Sequence, residues 1–134
     1  MTGETDLEVL LKSMKPALHE GEFVFCTMSP ERAGELDLAP VCQFREDEGL
    51  TLILKRQQAD SAGLPYEYIS RMIALTVHSS LNSVGFLAVI TSKLTEHGIS
   101  VNPVSAYYHD YLFVPSEKAL ETMRLLAEFS SFAK

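Results

Sequence analysis

Apolar and polar positions along this chain of 134 residues fall into short blocks with different periods. In the second half, Tyr66 to Val77 contains an alternating stretch, with Ile73, Leu75 and Val77 on one face and Met72, Ala74 and Thr76 on the other. Period 2 with β-rich residues predicts a strand. His78-Ser79-Ser80-Leu81-Asn82-Ser83 breaks it with Ser and Asn, whose short side chains satisfy free backbone N–H groups in loops and N-caps. From Val84 to His97 the period lengthens: Leu87, Ile90 and Leu94 form the stripe of an amphipathic helix, and Gly98 stops it. Ile99 to Tyr108 and Tyr111 to Val114 read as two strands separated only by His109-Asp110, a tight hairpin that sets Tyr108 opposite Tyr111 and Ala106 opposite Phe113. Pro115-Ser116-Glu117 opens a last helix with the stripe Leu120, Met123, Ala127, its N-cap at Ser116 or shifted to Pro115. Residues 66–134 therefore read β-α-β-β-α.

The first half repeats that order in compressed form. Glu22 to Met28 is a strand, and Ser29-Pro30-Glu31-Arg32 offers an N-cap followed by proline at the first helical position. Leu38 to Phe44 and Leu50 to Lys55 are strands around the acidic turn Arg45-Glu46-Asp47-Glu48-Gly49, and Gln57 to Ala62 makes one or two helical turns. A helix over Leu7 to Lys12, capped by Thr5 or Asp6, and a short segment around Ala17-Leu18-His19 precede the repeat. Ser61-Ala62-Gly63-Leu64-Pro65 reads as a connection, so the chain divides into units 1–63 and 64–134. Two such units predict an α+β fold: ferredoxin-like βαββαβ-type units in tandem, each an antiparallel sheet with helices on one face. Each is marginal in core size alone, which favours a combined core or a homodimer.

Charge changes what the fold can bind. There are 11 Lys and Arg against 18 Asp and Glu, a net charge of −7. Residues 1–63 hold 12 acids and 6 bases, and residues 64–134 hold 6 and 5. An acidic chain argues against nucleic acid, which is held largely through cationic contacts to phosphate, and against an anionic membrane surface. The longest apolar run, Phe86 to Ile90, is far short of the roughly 20 residues that span a bilayer. With no visible secretory signal in Met1-Thr2-Gly3-Glu4-Thr5-Asp6, the expected location is the cytoplasm. Cys26 and Cys42 sit in apolar stretches, and the histidines 19, 78, 97 and 109 show no ligand spacing, so neither metal nor cofactor is expected.

The stretch from Leu75 through Gly85-Phe86-Leu87, continuing through Leu94-Thr95-Glu96-His97-Gly98-Ile99-Ser100-Val101-Asn102, resembles the ACT domain. With Tyr107 to Pro115 it is similar to small stand-alone bacterial proteins built from two ACT-like units. The resemblance covers about residues 70–134 well, and the first half looks like the degenerate partner unit. It implies a regulatory module that binds a small molecule, commonly an amino acid, and is not a catalyst. Two positions depart from the family: His78 stands where many members carry an acid, and Val84 where proline is frequent. The ligand's identity therefore does not carry over.

The residues make a physical case of their own. Ser79, Ser80, Asn82 and Ser83 are short hydrogen-bonding residues, and Gly85 lets a backbone approach closely. The N-terminus of the helix that follows offers free N–H groups and partial positive charge to a carboxylate. Ser100 and Asn102, at the head of the next strand, would meet an α-amino group from across an interface. The candidate ligand-binding set is thus His78, Ser79, Ser80, Leu81, Asn82, Ser83, Val84, Gly85 and Phe86, with Ser100, Val101 and Asn102. The competing reading is that these residues only cap the helix, leaving an interaction module with a vestigial loop. A small enzyme using His78 is the second alternative, although no nucleophile motif accompanies it. Tyr107, Tyr108, Tyr111 and Phe113 would suit RNA stacking, but no Lys or Arg lies between Lys93 and Lys118, which favours packing. His109-Asp110 reads as turn chemistry.

Overall fold

Helix starts and stops follow their capping residues. In the computed structural model, which describes residues 6–77 and 80–131, α1 (Leu7–Ser13) begins at Asp6, whose carboxylate accepts from the Val9 N–H at 3.2 Å. β1 (Lys15–Leu18) and β2 (Phe23–Met28) follow. α2 (Pro30–Glu35) starts with proline in its first turn, and the Ser29 hydroxyl accepts from the Arg32 N–H at 3.1 Å. The remaining elements are β3 (Cys42–Arg45), β4 (Leu50–Lys55), α3 (Arg56–Ser61), β5 (Ile69–Thr76), α4 (Phe86–Glu96), β6 (Asn102–Ser105), β7 (Asp110–Pro115), a 3-10 turn (Ser116–Lys118) and α5 (Ala119–Ser131). α4 ends as predicted at Gly98, whose φ of +71° accommodates the left-handed turn.

Two compact units emerge. A central unit comprises residues 21–70; a terminal unit joins residues 6–20 to residues 71–131. In the central unit the strand order is β3-β4-β2-β5, all neighbours antiparallel, and the opening residues of β5 supply the fourth strand through Phe23 opposite Ser70 and Val24 opposite Ile69. The terminal unit has β6-β7-β5, with β1 antiparallel to β5 in the register Lys15–Thr76 to Leu18–Ile73. Both are thus βαββ units completed by a fourth strand beside the first, the ferredoxin-like plan. The segment that precedes the first repeat completes the second, so the compact units do not coincide with halves cut at residue 64. The short segment around Ala17-Leu18-His19 is β1.

Each unit buries its own apolar cluster. Leu10, Met14, Ile73, Leu75, Phe86, Ile90, Leu94, Leu112, Val114 and Leu126 form the core of the terminal unit, with Leu7, Leu18 and Leu87 packed against it. Val24, Cys26, Leu50, Leu52, Leu54 and Ala59 form that of the central unit. Burial raises the Cys26 thiol pKa, in keeping with a small buried hydrophobe. Arg56 ties the start of α3 to Glu22 at 2.8 Å and to the Tyr66 hydroxyl at 2.9 Å.

Three local expectations are corrected. The strand read over Leu38 to Phe44 begins only at Cys42, with the Val41 N–H bonded to Ile53 O at 2.8 Å just before it; Pro40, which has no N–H to give a ladder, precedes it, and the Ala39 N–H donates to Gln58 Oε1 at 2.8 Å instead. The hairpin turn is Ala106-Tyr107-Tyr108-His109, closed by Ala106 N–H to His109 O at 3.0 Å, and not His109-Asp110. Asp110 is instead the first residue of β7, opposite Ser105; Tyr111 faces Val104 and Phe113 faces Asn102. Packing Leu112 and Val114 into the core sets this register, and a slip of one residue would turn the strand over. In α5 the buried positions are Ala119, Thr122, Leu125 and Leu126, whereas Leu120 is 76% exposed and Ala127 is exposed. The Thr122 hydroxyl is satisfied by Lys118 O at 2.8 Å, which makes its burial tolerable.

Candidate functional site

At one end of the terminal unit the loop between β5 and α4 meets the β6–β7 hairpin. This follows from the topology: β5 leads up to the loop, α4 runs back, β6 returns, and its last residue Ser105 lies beside Asp110. The loop is shaped by its own serine, as the Ser83 N–H donates to Ser80 O and the Asn82 N–H to Ser80 Oγ, both at 3.0 Å. Gly85 is the N-cap of α4 with φ +92°, a conformation in which other L-residues are strained. A Cβ there would meet only Leu7 Cδ2, at an ordinary 3.6 Å, so the backbone angle is what requires glycine. Gly85 has no side chain with which to cap α4. Its first N–H groups, with the partial positive charge of an eleven-residue helix, face the loop.

Between loop and hairpin is a pocket of about 120 Å³, lined by Ser80, Leu81, Ser83, Gly85, Phe86, Leu87, Ser105, Ala106 and Asp110. Five of the sequence-predicted residues thus come together: Ser80, Leu81, Ser83, Gly85 and Phe86. Phe86 also belongs to the core, 2% exposed. Asn82 and Val84 lie in the same loop but not in the pocket wall, and Val84 is 84% exposed. His78 and Ser79 fall outside the described residues. Ser100, Val101 and Asn102 stand at the opposite end of β6, with Asn102 about 10 Å along the strand from Ser105 at about 3.3 Å per residue. Within one chain they do not reach the loop.

Leu87, Ser105, Ala106 and Asp110 were not among the predicted residues. The last three come to the site through the hairpin register, a non-local feature that spacing along the chain does not reveal. Asp110 is only 8% exposed, and none of the hydrogen bonds or ion pairs of side chains among the described residues engages its carboxylate. Tyr107 and Tyr108 sit at the hairpin tip, 72% and 67% exposed, in edge-to-face contact at 5.0 Å. The tip position removes them from the sheet face on which an RNA-stacking platform would be built.

Among the described residues no group of three or more His, Cys, Asp or Glu could hold a metal ion, and no helix is long and apolar enough to cross a membrane. Two ACT-domain family models match the chain in tandem, one over residues 2–71 and the other over residues 67–128. The chain belongs to the ACT-domain family. Its tandem ACT architecture is similar to a crystal structure from Vibrio cholerae of a protein of unknown function, described as a possible transport protein: 47% identity, 92% of this chain and 95% of that one covered, TM-score 0.84. A protein from Agrobacterium tumefaciens shares the fold at 17% identity, with 87% and 89% coverage and TM-score 0.68. So does the regulatory subunit of aspartate kinase from Thermus thermophilus in a ligand-free form, at 12% identity, 87% and 98% coverage and TM-score 0.63. No curated protein sequence matches the chain. The ACT fold accounts for the ferredoxin-like sheets predicted from the element order.

Proposed function

We propose that this ACT-domain protein is a regulatory, non-catalytic binder of a small molecule, an amino acid, at the loop between β5 and α4. One observation carries the reading: the N-terminus of α4 is capped by Gly85 without a side chain and opens onto a pocket walled by loop and hairpin. A helix start of this kind suits a carboxylate. The corresponding helix start of the central unit is occupied by its own cap, Ser29 on the Arg32 N–H, and α2 has only six residues. The binding loop therefore belongs to the second of two ACT repeats, which we take as residues 1–63 and 64–134. His78 to Phe86 supply the loop. Ser100, Val101 and Asn102 contribute from the partner subunit of a homodimer in the cytoplasm. The chain works without a cofactor and without nucleic acid or membrane.

A thermal-shift screen against the twenty amino acids tests this. A ligand that binds only the folded state raises the melting temperature, by an increment that grows with the logarithm of its concentration. At least one amino acid at millimolar concentration is expected to do so. No shift with any of them overturns the amino-acid reading and leaves the interaction module with a vestigial loop in its place.

A further inference from the structure

We infer that Asp110 is the specificity-determining residue of this site: its carboxylate binds the ammonium group of a small zwitterion whose carboxylate lies on the N-terminus of α4. The inference rests on the proposed amino-acid function and adds the chemistry by which the ligand is chosen. Its support comes from comparing the two units. The hairpins β3–β4 and β6–β7 have the same geometry: Arg45 pairs with Leu50 and Ser105 with Asp110, each across a four-residue turn. The strands that follow, Leu50–Lys55 and Asp110–Pro115, are both six residues long and bury the same positions. At the first of these, Leu50 and Asp110 are each 8% exposed. Leu50 lies in the core of the central unit with Leu52 and Leu54; Asp110 shares a strand face with Leu112 and Val114 of the terminal core. The fold is thus satisfied by leucine at this position, and the terminal unit carries an equally little-exposed aspartate there.

Asp110 is 8% exposed but is not among the fully buried unpartnered side-chain atoms, so what access its carboxylate has is at the pocket. A carboxylate so largely removed from solvent is stabilised by a compensating charge there. Among the described residues no Lys, Arg or His pairs with Asp110. Asp110 lines the same pocket as Gly85 and Phe86 at the start of α4. One pocket therefore brings together an acceptor for a cation and the helix start whose N–H groups suit an anion. That pairing matches an α-amino acid zwitterion better than either charge alone. Size narrows the choice. At about 120 Å³ the pocket falls well below the roughly 300–1,000 Å³ of sites for drug-sized ligands. The ligand expected there is a small one, glycine or L-alanine, in preference to an aromatic or long-chain amino acid.

The test is calorimetric titration and thermal shift of the full chain with glycine, L-alanine, L-phenylalanine, acetate and methylamine, repeated on Asp110→Asn and Asp110→Leu. Glycine or L-alanine is expected to bind the wild-type protein, with L-phenylalanine, acetate and methylamine at least about tenfold weaker. Both variants are expected to lose affinity for the zwitterion about tenfold or more, as removal of a charge-assisted hydrogen bond does. Asp110→Leu restores the residue that the central unit carries at this position and is expected to fold; Asp110→Asn keeps the shape should it not. If no amino acid binds the wild-type protein, the proposed function falls and this inference with it. If an amino acid binds and both variants bind it as tightly, only the assignment of Asp110 is overturned. Equal binding of acetate or methylamine overturns the zwitterion. Unchanged ligand affinity with lower stability of the free variants would make Asp110 a structural partner of the α4 start instead.

Discussion

Lys93 and Glu128 link α4 to α5 through a contact of 2.7 Å, with Arg124 at 3.5 Å from the same carboxylate and the Lys93 ammonium 4.5 Å from the centre of the Phe129 ring. The hydrogen bond from Lys93 holds the Glu128 carboxyl below its usual pKa, against a smaller opposing effect of desolvation. A depressed carboxyl contributes stability above its unfolded pKa, about 4.3, and loses it as pH falls through the lower folded value. Because Glu128 is 40% exposed, salt weakens the effect. Urea unfolding of wild type and Glu128→Gln across the acid range is therefore expected to show a wild-type advantage at neutral pH that disappears in acid and shrinks in high salt. An advantage that grows toward low pH would contradict the sign. At this same scale the caps were legible in the sequence: Asp6, Ser29 and Gly98 act within a turn of their own positions, so nearby residues suffice to identify them. Asp110 was not legible, because what makes it unusual is its burial, and burial is decided by partners distant in the chain.

Helices and strands differ in how much of their orientation the sequence reveals. In α4 one stripe dominates, and Phe86, Ile90 and Leu94 are buried, with Leu87 half-buried beside them. In α5 two stripes compete: Leu120, Met123, Ala127 and Ala119, Thr122, Leu126 both follow helical spacing. Packing selects the second, which carries Leu126 into the core at 0% exposure while Leu120 stays outside. Leu126→Ala is accordingly expected to cost about 2–5 kcal/mol, and Leu120→Ala to stay within about 0.5 kcal/mol, by chemical denaturation. Comparable losses at both positions would mean that α5 is rotated. β7 poses the same problem in strand form. Tyr111, Leu112, Phe113 and Val114 are all apolar or aromatic, so alternation cannot say which pair faces the helices, and the register followed from where Leu112 and Val114 pack.

For the whole molecule, the acid excess that argues against polyanions lies almost entirely in residues 1–63, so the second repeat, which holds the proposed site, is nearly neutral. Its loop and hairpin carry several large apolar groups into solvent: Leu81 at 69%, Val84 at 84%, Tyr107 at 72% and Tyr108 at 67% exposure. Exposed apolar groups gathered at one end of a small unit mark an interaction surface. This agrees with the proposed homodimer, and light scattering coupled to size-exclusion chromatography is expected to give twice the chain mass of 14.9 kDa. A chain mass that persists at every concentration would exclude that state, and with it the contribution of Ser100, Val101 and Asn102 from a partner.

By itself the sequence determined the order of the elements, the caps at Asp6, Ser29 and Gly98, the duplicated ferredoxin-like plan and the loop that leads into α4, because periodicity and capping act over a few residues. Tertiary structure alone decided three things. β1 is the fourth strand of the terminal unit, reached across more than fifty residues to pair with β5. The hairpin turns at Tyr107-Tyr108, and Asp110 enters the pocket wall. Each depends on which distant strand supplies a hydrogen-bonding edge and which face fills the core, and pairing over such distances leaves no periodic trace in the chain.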